Sequence, residues 1–168
     1  MRMVKQIPYE WDLLTREGSV LHYGRETLVK MAIEKECSHV MFIDTDMYFE
    51  GDAVERLVKR DKDVIGVSYN RRKFPLETTL SIHDKDGTVI NEEKDGMLKC
   101  AGVATGFLLI KTDVFKKLKH PWFFWESDEE GELLTGEDVW FCRKAREAGY
   151  DIWADMTVKV GHVGEAVY

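Results

Sequence analysis

The sequence has little of what marks secreted, membrane or nucleic-acid-binding proteins. Its 168 residues contain only three cysteines, widely spaced, which match neither a disulfide framework nor a zinc site and favour a reducing, cytoplasmic location. No apolar run approaches the roughly 20 residues of a membrane helix, and the first residues lack the apolar centre of a signal peptide. Acidic residues outnumber basic ones, giving a net charge of -7 and a pI near 5.3, so general nucleic-acid binding is not expected.

Internal repeats, low-complexity tracts and flexible linkers are also missing, so we expect one domain over residues 1–168. The first half alternates predicted helices and strands, at residues 25–36, 40–43, 52–59 and 64–68. Asp52 and Thr135 are expected to cap helices. The alternation predicts an α/β fold with a mixed, mainly parallel sheet flanked by helices. A hairpin turn at residues 84–87 and further short strands predict a smaller antiparallel part in the second half.

Two carboxylates, Asp44 and Asp46, come directly after the buried strand at residues 40–43. Ligands of open α/β sheets bind at the carboxyl ends of strands. A desolvated, unpaired carboxylate costs several kcal/mol, so the pair is expected at the mouth of a cleft. There it could hold Mg²⁺ or Mn²⁺ together with substrate phosphates. The alternative is a pair of solvated loop carboxylates.

Three further residues could take part in the same chemistry. Glu137 and Asp138 stand at the start of a predicted helix. The helix dipole stabilises acidic groups there without any function, but an ionised carboxylate could also act as a general base. His162 lies between glycines after a predicted strand, and it is either a ligand for Mn²⁺ or a structural histidine.

Other residues could contact a substrate. The aromatic run at residues 122–125 is either a stacking platform for a sugar, with Trp122 and Trp125 as the acceptor contacts, or core packing. An acidic stretch at residues 126–132 follows and is expected to be mobile. Arg71, with the two basic residues after it, is either a diphosphate or acceptor contact or part of a solvated turn.

The order of these motifs resembles that of the GT-A glycosyltransferases, the nucleotide-diphospho-sugar transferase superfamily. The resemblance runs from about residue 24 to residue 164. The segments that carry it are Asp44-Thr45-Asp46 and residues 101–110, 113–115, 121–123, 136–142, 149–153 and 161–164.

The resemblance implies a single GT-A-like (Rossmann-like) domain that moves a sugar from a UDP- or GDP-sugar to a saccharide or protein acceptor, with inversion. Asp44 and Asp46 match the motif that holds the metal, usually Mn²⁺, and the donor's diphosphate and ribose. His162 matches a position that supplies a further metal ligand. Asp138 matches the general base, with Glu137 beside it as an acceptor contact or substitute.

The resemblance also gives Gly106 a place near the substrates and leaves rival functions open. Gly106 would lie near the donor sugar and the acceptor. Arg71 is counted with the donor-binding residues because it follows a strand end. Family members usually begin with an apolar strand that binds the base. Here the best candidate is residues 3–8, so a shortened N-terminus is expected. The rivals are a sugar-nucleotidyltransferase, whose glycine-rich phosphate loop we do not find, and a non-catalytic module that binds a glycan or a protein.

Overall fold

A computed structural model describes residues 9–16, 18, 20–71, 75–84 and 86–164. The candidate strand at residues 3–8 and the basic residues 72 and 73 lie outside this part. The helices are α1 (Leu21–Glu34), α2 (Ala53–Lys59), α3 (Thr112–Lys117) and α4 (Glu137–Glu147). The strands are β1 (His39–Ile43), β2 (Met47–Phe49), β3 (Val64–Val67), β4 (Glu92–Lys94), β5 (Met97–Cys100), β6 (Phe107–Lys111), β7 (Glu126–Ser127), β8 (Leu133–Thr135), β9 (Ile152–Asp155) and β10 (Val160–His162).

Six strands form one sheet in the order β1-β6-β3-β9-β5-β4. Strand β6 lies between β1 and β3 and runs antiparallel to both. Strands β3 and β9 are parallel, and β5 is antiparallel to its neighbours β9 and β4. Strand β10 pairs with β2, and β7 pairs with β8, in two separate two-stranded sheets.

The prediction of a mainly parallel sheet is wrong, and the fold is not a Rossmann-like core. Strands β1 and β3 do run in the same direction, with α2 between them in the chain, but β6 separates them in the sheet. Four consecutive residues of β6, from Phe107 to Ile110, are buried. A continuous apolar run shows that a strand is central but not which strands it pairs with or in which direction.

Side chains alternate between two cores on the two faces of the sheet, as strand β6 shows. Leu108 and Ile110 pack into the core that also contains buried side chains of α1, α3 and α4. Phe107 and Leu109 pack into the other core, which contains side chains of α2. Burial of this apolar surface, worth about 25 cal/mol per Å², is the main term that stabilises the fold.

Several local features differ from the prediction. Asp52 makes no side-chain capping hydrogen bond, and the N-cap of α4 is Gly136 rather than Thr135. The acidic stretch at residues 126–132 begins in β7 and is closed by the pairing of β7 with β8. Strands β2, β4, β7 and β8 have no counterpart among the predicted elements. In the part of the chain that the structure describes, no helix combines the length and apolar character needed to cross a membrane.

Candidate active site

One edge of the six-stranded sheet brings together polar residues from distant parts of the chain. Strands β1, β3 and β9 end at this edge and β6 begins there, because their directions are fixed by the pairing. Asp44 follows β1, and its backbone N–H donates to the carbonyl of Gly106, just before β6, at 2.9 Å. Tyr69 and Asn70 follow β3. The end of one strand and the start of its neighbour thus form a common wall.

Gly106 lies directly against Asp44 and Tyr69. A Cβ atom at position 106 would stand 3.1 Å from Asp44 Oδ2 and would come even closer to the Tyr69 hydroxyl. Burial, and then the charge of Asp44, raise the pKa of the Tyr69 hydroxyl, and the charge of Asp138 adds to the effect. The hydroxyl therefore stays protonated, and the two carboxylates lie near the same group.

A tight turn brings Asp46 next to His162. The Met47 N–H donates to the Asp44 carbonyl at 3.2 Å, and Met47 lies opposite His162 in the β2–β10 pair. The N–H that follows His162 donates to the Asp46 carbonyl at 2.7 Å. His162 Nδ1 lies 2.8 Å from the Asn70 carbonyl oxygen. Because a carbonyl only accepts, we assign the proton to Nδ1, which leaves the lone pair on Nε2 for a ligand.

The carboxylate oxygens of Asp44 and Asp46 and the ring nitrogen of His162 are suitable ligands for Mn²⁺ or Mg²⁺. Carboxylate oxygens fit both ions, and a neutral imidazole oriented by a backbone carbonyl is a good ligand for Mn²⁺. Within the described ranges, however, no three His, Cys, Asp or Glu side chains are placed to hold a metal ion together. A metal ion bound here would need ligands beyond those that the described side chains supply, and substrate phosphates often fill this role for Mg²⁺.

The two acidic residues that begin α4 have different surroundings. Glu137 is buried, forms an ion pair with Arg25, and accepts a hydrogen bond of 2.6 Å from Trp125 Nε1. Asp138 Oδ1 accepts from the backbone N–H of Val139 at 2.7 Å. Burial, and then the charge of Glu137, raise the pKa of Asp138 above its ordinary value. Asp138 is therefore a better proton acceptor than an ordinary aspartate, while Glu137 is paired with Arg25.

The other residues predicted to contact a substrate have different surroundings in the structure. Trp125 lies beside Glu137 with 40% of its surface exposed. Trp122 lies in the core, and its Nε1 donates to the carbonyl of Phe115 at 3.0 Å, so its ring is not presented at the site. Arg71 follows β3 and is exposed.

Two residues of the site were not predicted from the sequence. Arg25 is only 4% exposed and lies on the face of α1 that also carries Val29 and Ala32. A charged residue within a helical apolar stripe is the signal that could have identified it. Tyr69 follows β3 by two residues, and the strand-end argument that was applied to Asp44 applies equally to it.

Comparison with known proteins shows similarity of fold. No family model matches this sequence, and no curated protein matches it. Among solved structures, the chain is similar to the crystal structure of A197 from STIV, with a TM-score of 0.66 and 21% sequence identity. The match covers 97% of this chain and 77% of that chain. At this level of identity the likeness shows the fold alone.

Proposed function

We propose that this protein is a metal-dependent glycosyltransferase that moves a sugar from a UDP- or GDP-sugar to an acceptor hydroxyl with inversion. The observation that supports the proposal is the convergence of Asp44, Asp138 and His162 at one edge of the sheet. The charges of both aspartates act on the Tyr69 hydroxyl, and the ring of Tyr69 lies 4.8 Å, between centroids, from that of His162. Order along the chain and convergence in space are separate observations, and both favour this activity.

The donor would bind at the end of the site formed by Asp44, Asp46 and His162. A metal ion held there would offset the negative charge that develops on the leaving diphosphate. Two contacts hold these residues in place: a backbone hydrogen bond fixes Asp44 at the start of a turn, and the His162 ring lies against a backbone carbonyl. The protonated Tyr69 hydroxyl would donate a hydrogen bond to an oxygen of the nucleotide-sugar, and the missing side chain at Gly106 lets this hydroxyl and the Asp44 carboxylate lie close against the backbone.

The acceptor would bind at the end formed by Asp138 and Trp125. Asp138 would take the proton from the acceptor hydroxyl, since a raised pKa increases the basicity of a carboxylate. Glu137 would hold its position through Arg25 rather than exchange protons. The exposed ring of Trp125 would contact a saccharide acceptor or the region around a protein hydroxyl.

A second candidate function is a non-catalytic module that binds a glycan or a protein. Asp44 already has a positive partner, since its Oδ1 lies 3.1 Å from Arg25. Together with the lack of a three-ligand group among the described residues, this pairing is the observation that favours the second candidate.

Calorimetric titration of UDP and of GDP, each with Mn²⁺ and with a chelator, tests the donor site. We expect saturable binding of one nucleotide that requires the metal and that weakens at least about tenfold in Asp46→Ala. Asp52→Ala is the matched control, because this nearby carboxylate is 60% exposed and lies outside the cluster. If a folded sample binds neither nucleotide, the donor site is refuted and the non-catalytic function becomes the better explanation.

Product analysis with the matching nucleotide-sugar then tests the chemistry. Release of free nucleoside diphosphate together with sugar transfer supports a glycosyltransferase, whereas pyrophosphate exchange would identify a sugar-nucleotidyltransferase. Asp138→Asn should lower the transfer rate by about 10²–10⁴-fold while nucleotide binding is retained. Unchanged transfer in this variant would show that Asp138 is not the base.

A further inference from the structure

The side chain of Arg25 joins two carboxylates that are far apart in the sequence. One of its terminal nitrogens donates to Glu137 Oε1, and the other lies 3.1 Å from Asp44 Oδ1. The guanidinium carbon is 6.0 Å from the centre of the Phe42 ring. Arg25 is thus held between the end of β1 and the start of α4.

The contacts continue from Glu137 to the surface. Glu137 Oε2 accepts a 2.6 Å hydrogen bond from Trp125 Nε1. The connected groups are Asp44, Arg25, Glu137 and Trp125, which we name the Arg25 relay. Its two ends are accessible, with the Asp44 side chain 41% exposed and Trp125 40% exposed. The side chains between them are buried, at 5% for Arg25 and 11% for Glu137.

A change of charge at Asp44 acts on a buried ion pair. In the interior, the effective dielectric constant is low and electrostatic interactions are stronger than in water. A cation that approaches Asp44 competes with Arg25 for the same carboxylate. The guanidinium then interacts more fully with Glu137, and the hydrogen bond from Trp125 to Glu137 must adjust.

We propose that Arg25 is a positioning residue that couples the state of Asp44 to the environment of Trp125, and so couples the donor end of the site to the acceptor end. This inference rests on the proposed function for its biological meaning. Coupling between two binding sites is reciprocal and typically changes affinity by about 5- to 150-fold. Arginine suits this role because its planar fork binds two carboxylates at once, which the single ammonium group of lysine cannot do in the same geometry.

Tryptophan emission without any ligand tests the relay directly. The series consists of the wild-type protein, Asp44→Asn, Arg25→Lys and the combination of both, with Trp125→Phe to identify the contribution of Trp125. We expect Asp44→Asn to change the emission of Trp125, and we expect the same substitution to have no such effect in the Arg25→Lys background. Asp52→Asn is the matched control, since it removes a charge from an exposed side chain outside the relay.

Titration with Mn²⁺ and UDP, or GDP if that is the nucleotide bound, then extends the test to the ligand. Binding is followed by calorimetry and emission on the same samples. We expect binding to change the emission of Trp125 in the wild-type protein but not in Arg25→Lys. Binding without any change at Trp125 would overturn the inference and leave the proposed function standing.

The two proposals fail in different ways. If no nucleotide binds, the proposed function fails, and the ligand-free emission series still decides whether the Arg25 relay exists. An unchanged Trp125 emission in Asp44→Asn, or a change that persists in Arg25→Lys, overturns the relay. If Arg25→Lys does not fold, Asp44→Asn and Trp125→Phe decide alone, because both sites are partly exposed.

Discussion

The close approach of Gly106 to Asp44 and Tyr69 predicts that Gly106→Ala perturbs the site and the fold together. The new Cβ would stand 3.1 Å from Asp44 Oδ2, 3.3 Å from Tyr69 Cζ and too close to the Tyr69 hydroxyl. Two of these three atoms belong to Tyr69, which is only 5% exposed and has little freedom to move away. The strain therefore falls on the groups that form the donor end.

The expected magnitude follows from two opposing terms. Overpacking of a buried position costs about 1–3 kcal/mol. Replacing glycine by alanine stabilises by about 0.4–1 kcal/mol through the unfolded state where the backbone conformation allows it. The balance predicts a net loss of about 1–2 kcal/mol in the free energy of unfolding. For a chain of this size the melting temperature should fall by about 2–8 °C.

Gly102→Ala is the matched control for this prediction. Gly102 is also buried, but a Cβ there would meet Cys142 Cβ at 3.6 Å and Cys142 Sγ at 3.8 Å, which are ordinary contacts. This variant should be neutral or slightly more stable than the wild-type protein. Urea denaturation of both variants, monitored by circular dichroism, gives the two free energies of unfolding.

A second substitution identifies the cause of the strain. In Tyr69→Phe the hydroxyl is absent, so Gly106→Ala should cost about 1 kcal/mol less in that background than in the wild-type protein. The reasoning is refuted if Gly106→Ala is as stable as Gly102→Ala, or if its cost is the same with and without the hydroxyl.

Three further predictions concern charge and packing. Burial and a neighbouring glutamate raise the pKa of Asp138, so the fold disfavours its ionised form and loses stability as the pH rises through the raised pKa. The stability of Asp138→Asn relative to the wild-type protein, measured by urea denaturation, should therefore be higher at pH 7 than at pH 3. A stability difference that is the same at both pH values would contradict this. Burial alone would raise the pKa of Asp155, but hydrogen bonds from Arg60 and a threonine hold it below its usual range. Its contribution should be lost as the pH falls through this lowered pKa, and Asp155→Asn should cost about 1–3 kcal/mol at pH 7 and less at pH 2. Phe123→Ala, at a fully buried position, should lower the free energy of unfolding by about 3–5 kcal/mol in the same assay. Phe124→Ala, at an adjacent position that is 41% exposed, should lower it clearly less, and equal losses would refute the placement of the two rings.

Most helices and strands could be predicted because their signals are local. The strands expected at residues 40–43 and 64–68 are β1 and β3, since short β-branched and aromatic runs favour buried strands. Helix boundaries were less accurate, because α1 begins before the predicted start and its N-cap, Val20, makes no side-chain capping bond. Because no capping residue marks the start of α1, its start was predicted only from the spacing of apolar residues further along the helix.

The arrangement of the strands could not be predicted in the same way. An apolar strand that is buried on both faces can pair in either direction, and the insertion of β6 between β1 and β3 depends on contacts across the whole chain. The sheet therefore turned out mostly antiparallel although the helix–strand alternation of the first half favoured a parallel one.

For the candidate site, the sequence by itself determined the chemical types and their local positions: Asp44 and Asp46 at the end of a strand, Glu137 and Asp138 at the start of a helix. Only the tertiary structure decided which of these groups are paired and which are exposed. The positively charged partner of Glu137 is Arg25, more than a hundred positions away in the chain. Ion pairs and pKa values depend on distances and burial, and these are set by the packing of residues that no local pattern connects.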